Sequence, residues 1–102
     1  NAPVSTVFSA GNGEVEVYEF VVPEAWAGRN LCELLPEQQC LPAAVTRAGR
    51  ARLPSGETKL ETGDVVHLSA TWEGIEALRA RLMTGPVSNG AVSQADRMFQ
   101  ED

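Results

Sequence analysis

This 102-residue chain has no apolar run near the roughly 18 residues a membrane-spanning helix needs. Its apolar stretches are as short as Phe20-Val21-Val22-Pro23. The opening Asn1-Ala2-Pro3 lacks the basic and apolar regions of a secretory signal. Asn1-Ala2, with no initiating Met, reads as the remnant of a removed tag, so a longer parent protein is expected. Two cysteines, Cys32 and Cys40, are too few for a disulfide framework. Their spacing fits neither a redox Cys-x-x-Cys nor a zinc pair, and they are expected as reduced thiols. Positive charge is scarce as well. Eight Lys and Arg against 14 Asp and Glu leave a net charge of −6, which repels a phosphate backbone, so no nucleic-acid partner is expected.

Catalytic constellations are equally sparse. The single histidine, His67, lies midway along an apolar stretch with Ser69 two residues on, about 7 Å away along a strand. A general base needs a nucleophile and an orienting acid at closer range. A packed or hydrogen-bonded strand histidine is therefore the favoured reading, with pH sensing at a dimer interface as the sharper alternative. Glu14, Glu16 and Glu19 cluster in one segment, and Glu57, Glu61 and Asp64 in another. A hard cation could be shared between neighbouring carboxylates, but solvated edge charge is the commoner use of such residues. No Gly-x-Gly-x-x-Gly is present, and Gly11-Asn12-Gly13 precedes a strand pattern where a dinucleotide loop would follow one. Arg47, Arg50 and Arg52 are the one basic cluster, with Arg50 and Arg52 sharing a strand face. None of this points to an enzyme.

What is present is a loop-rich globular pattern, 43% hydrophobic with nine Gly and six Pro. Residues 1–13 are small and polar and read as a linker or leader. From Glu14 the sequence alternates: Val15 and Val17 share one face, and Tyr18, Phe20 and Val22 the other. This predicts a strand covered on both sides or bulged near Glu19, ended by Pro23. Leu31, Leu34 and Leu35 give a short helical stripe within 26–35, stopped by Pro36. A strand over 42–47, a turn at Ala48-Gly49 and a short strand over 50–53 follow. Thr62-Gly63-Asp64 forms a tight turn into a buried strand over 65–70. Thr71 is placed to cap a helix whose stripe is Trp72, Ile75, Leu78 and Leu82, with Glu76 and Arg79 outward and Gly85-Pro86 at its end. Residues 84–102 read as a tail that is disordered or a helix that needs a partner.

Three segments carry a resemblance. Phe20-Val21-Val22-Pro23-Glu24 running on to Ala27-Gly28-Arg29, Leu31 and Glu33-Leu34 resembles the opening of the TrkA-C (RCK C-terminal) family. Ala43-Ala44-Val45-Thr46-Arg47-Ala48-Gly49 resembles its hairpin strand, and Pro54 to Val66, with Thr58, Leu60 and Gly63-Asp64, resembles its Thr-x-Leu-x-x-Gly-Asp turn. The resemblance covers 14–83. It implies a small α+β domain: a four-stranded, mainly antiparallel or mixed sheet, with a short helix after the first strand and a C-terminal helix.

The resemblance also implies a role. Such a domain dimerises behind a Rossmann-like nucleotide-binding domain and regulates a membrane potassium channel or transporter from the cytoplasmic face. The ligand-binding residues it implies, in a dimer cleft, are Leu41, Pro42, Ala43, Val45 and Arg47. Some members bind cyclic di-AMP there through an Arg and an Asn-Ile pair. This chain carries Leu35, Leu41 and Pro42 instead, which argues against cyclic di-AMP; no cofactor is expected in this fragment, and a nucleotide is the ligand such a cleft could take. Alternative expectations are a regulatory module of a cation/proton antiporter or other transporter, or a pure dimerisation domain without ligand.

Overall fold

The alternation that sorts Tyr18, Phe20 and Val22 from Val15, Val17 and Val21 decides the layout. In the computed structural model, which describes residues 4–87, these residues lie on β2 (Val15–Val21) and just beyond it. Tyr18, Phe20 and Val22 are buried, whereas Val15 and Val21 are exposed. A pleated strand sends successive side chains to opposite faces, so one sheet face is core and the other is open.

The sheet has five strands, all paired antiparallel, in the order β1-β2-β5-β3-β4. The others are β1 (Val4–Ala10), β3 (Cys40–Arg47), β4 (Arg50–Arg52) and β5 (Val65–Ala70). The expected four strands are thus corrected to five. The added strand, β1, lies in the segment read as a linker, and Ala10 to Glu14 is its hairpin turn to β2, closed by Gly13 N–H to Ala10 O and Glu14 N–H to Gly11 O. The irregularity expected near Glu19 falls on β1 instead, between Thr6 and Phe8, and β2 pairs with β5 without a break. A second bulge interrupts β3 between Pro42 and Ala44. Proline has no N–H for the ladder, and bulges accommodate such residues.

Two helices lie on the inner face. A 3₁₀ turn at Glu24–Trp26 leads to α1 (Leu31–Leu34), which buries Leu31 and Leu34. Glu33 reaches back to accept the N–H of Asn30 at 3.2 Å, which satisfies one orphan donor of the first turn. α2 (Trp72–Thr84) starts at Thr71, whose hydroxyl accepts the Gly74 N–H at 3.2 Å. Its buried face is Gly74, Ile75, Leu78 and Leu82. Trp72, expected in that stripe, is 64% exposed; at the first helical position it precedes the turn that meets the sheet.

Leu31, Leu34, Leu60, Ile75 and Leu78 close over Phe20, Val45, Val66 and Leu68 to form the core. Each such side chain contributes about 1.5–3 kcal/mol by leaving water. No described helix is long and apolar enough to cross a membrane. The expected disordered tail lies, from residue 88 onward, outside the described residues.

Candidate functional site

Four segments meet around a cavity of about 560 Å³. α1 and the turn after it supply Leu31, Cys32, Leu35, Pro36 and Glu37; the start of β3 supplies Cys40, Leu41 and Pro42; Gly56 and Arg81 complete the wall. The approach is fixed by local chemistry. Pro36 ends α1, and Gln39 is then tied to the start of α2. Thr71 N–H donates to Gln39 O at 3.1 Å, and the Thr71 hydroxyl donates to Gln39 Oε1 at 2.6 Å. Gly74 lies against the Gln39 backbone so closely that a Cβ there would sit 2.4 Å from its carbonyl oxygen.

Arg81 gives the cavity its one cation. Its Nη1 donates to Leu34 O at 3.2 Å and Glu33 O at 3.4 Å, carbonyls that a helix end leaves unpaired. Its other donors have no protein partner among the described residues. A largely apolar wall with the Arg81 guanidinium and the Glu37 carboxylate at its edge suits a ligand with an apolar body and polar groups of either sign. The Cys40 thiol on this wall is not poised for chemistry. Burial pushes the Cys40 thiol up, with Arg81 only partly opposing it, so Cys40 stays protonated and weakly nucleophilic at neutral pH.

The five residues expected at a ligand cleft have distinct surroundings. Leu41 and Pro42 line the cavity, and Leu41 is 70% exposed. Ala43 sits exposed on the β3 bulge. Val45 is buried in the core. Arg47 is engaged elsewhere: its Nε donates to Asp64 Oδ1 at 2.9 Å and its Nη2 to Asp64 Oδ2 at 2.8 Å. The same guanidinium reaches Lys59 O at 2.9 Å and Glu61 Oε2 at 3.1 Å.

Asp64 is the one buried charged side chain among the described residues. Its carboxyl is held below the ordinary range, chiefly by the Arg47 hydrogen bonds, with burial opposing. The Glu61 N–H donates to Asp64 Oδ2 at 2.9 Å as well. This clasp ties β3 to the loop before β5. Thr62-Gly63-Asp64 was the available signal for it, read only as a turn because the partner lies 17 residues away.

His67 pairs across the open face with Glu19, Nε2 to Oε1 at 2.8 Å, and not with Ser69. Among the described residues no group of three or more His, Cys, Asp or Glu could hold a metal. Sequence reasoning passed over Cys32, Glu37 and Arg81 as cavity residues, since their convergence depends on how α2 packs.

A sheet of this order, with α1 in the connection from β2 to β3 and a closing helix, makes the chain a small α+β domain. The chain belongs to the TrkA-C domain family, whose profile matches residues 17–83. A curated relative is the Trk system potassium uptake protein TrkA of Streptomyces coelicolor, 33% identical over 78 residues. That match covers 76% of this chain and 35% of the relative, so the chain spans about a third of that protein's length.

Proposed function

We propose that this chain is the regulatory module of a potassium uptake system. Membership of the TrkA-C family across most of the folded core carries this reading, with the similarity to a Trk potassium uptake protein beside it. The parent protein places an upstream Rossmann-like nucleotide-binding domain before this module. It works in the cytoplasm, peripheral to the inner face of the plasma membrane, as a homodimer docked to a membrane channel or transporter subunit. The role is regulatory and not catalytic.

The cavity beside the start of β3 is the ligand site. Leu41, Pro42 and Ala43 form its exposed mouth, and Arg81 takes an anionic group. Val45 and Arg47 act from behind by anchoring the strand that carries the mouth. Two copies meet across the mouth, so a ligand held there favours one arrangement of the pair, and only such a difference in affinity shifts a two-state equilibrium.

The test is thermal melting of the chain with AMP, ADP, ATP and cyclic di-AMP, each alone. A nucleotide at 100 times its Kd adds about 2.7 kcal/mol of stability, a shift of several degrees for a domain of this size. One mononucleotide is expected to raise Tm, and Leu41→Asp is expected to remove that rise. No shift with any nucleotide would leave a pure assembly domain.

A further inference from the structure

The sheet ends in two unlike edges. β4 is three residues long and carries Arg50 and Arg52, like charges that repel a second copy. β1 is seven residues long, Val-Ser-Thr-Val-Phe-Ser-Ala, with no charge and no proline. Its outer backbone has no strand partner among the described residues. Natural edges are blunted by short length, lysine, proline or a covering element, and of the common devices β1 has only a bulge. Val7 and Phe8 on it are 54% and 60% exposed. β1 also lies outside the stretch that matches the TrkA-C profile, so the common domain does not account for it.

We propose that β1 pairs antiparallel with β1 of a second copy about a twofold axis, joining two five-stranded sheets edge to edge. A twofold contact is self-complementary, and an uncharged edge meets that condition where an Arg-bearing one does not. Centring the axis between Thr6 and Val7 sets Val4 of one copy beside Ser9 of the other and Ser5 beside Phe8, so that core-side residues meet core-side ones and open-side residues meet open-side ones. The bulge between Thr6 and Phe8 adds twist and divides the pairing into three-residue stretches. That is the length of the β3–β4 ladder, Val45–Arg47 with Arg50–Arg52.

The net charge of −6 opposes association, and the Glu16 carboxylate lies at this edge, accepting the Thr6 hydroxyl at 3.2 Å. Salt therefore strengthens the pairing. This contact is separate from the one across the cavity mouth, and the two are told apart by different variants.

Sedimentation velocity over a concentration series, at low salt and at 0.5 M NaCl, tests it on the wild-type chain, the double variant Val7→Lys/Phe8→Lys and Leu41→Asp. The wild type is expected to associate more at the higher salt. The double variant is expected to lose that step, a twofold drop in mass, with circular dichroism confirming its fold. Leu41→Asp is expected to keep it. A wild type that stays monomeric, or a double variant that sediments like the wild type, overturns the proposal. Dissociation by Leu41→Asp alone overturns it too, while supporting the pairing across the mouth. Amide hydrogen exchange on the wild type gives a readout independent of the variants. β1 amides should be protected at high concentration and exposed on dilution, and exposure at every concentration also overturns the pairing.

Discussion

Asp64 shows how one residue can organise a loop. Its carboxylate takes two hydrogen bonds from Arg47 and one from the Glu61 backbone while almost fully buried. Asp64→Asn keeps the shape and removes the charge, and should cost about 1–3 kcal/mol in chemical denaturation at pH 7. The pH dependence has a definite sign. The folded-state pKa of Asp64 is lowered, so its contribution is complete above the unfolded value, about 3.9. It falls away as pH drops through that value toward the folded one. The stability gap between wild type and Asp64→Asn should therefore be widest at neutral pH and narrow by pH 3. A gap that does not change with pH would show that the carboxylate charge is not what the clasp uses. Arg47 was legible as a basic strand residue, and the resemblance implied a ligand for it. Its actual anion is internal, which no local pattern around Arg47 discloses.

Among the elements, the α2 start and the β3–β4 hairpin offer tests whose sign is informative. Glycine to alanine inside an exposed helix usually stabilises by about 1 kcal/mol. Gly74→Ala should do the opposite, because the new methyl would press on the Gln39 backbone, with an overpacking cost of about 1–3 kcal/mol. The change should appear as a lower Tm. The hairpin turn holds Ala48 at φ 52° and Gly49 at φ 79°, the two positive values of a type I′ turn, for which Asn-Gly is the favoured pair. Ala48→Asn should raise stability by about 0.5–1 kcal/mol, part of the left-handed penalty that alanine bears; denaturant midpoints read it directly.

Elements with a buried face were legible because burial imposes a period. β2, β5 and the Ile75, Leu78 and Leu82 stripe of α2 follow it. β1 was not legible, since almost all of it is exposed and only Val4 of it packs against the core. Asn12-Gly13 is a strong hairpin signal, but with no apolar alternation upstream it reads as the end of a linker. Trp72 was misassigned for a related reason: its spacing fits the stripe, but the Thr71 cap starts the helix clear of the sheet.

At the scale of the molecule, the sheet order places β3 between β5 and a short basic edge, so its first residues meet α1 and α2 around the cavity. Three sequence segments in the correct order were enough to indicate the family. The cavity was only partly legible: Leu41 and Pro42 came from the resemblance, whereas Arg81 arrives from a helix whose packing no motif records. Under the proposed role, the cavity mouth is where ligand occupancy reaches the membrane partner. The most direct test is rubidium influx in cells whose full-length parent protein carries Leu41→Asp or lacks residues 17–83. The surface variant is expected to fold normally and blunt the regulation of influx, and the deletion to abolish it. Influx unchanged in both strains would contradict a role in potassium uptake.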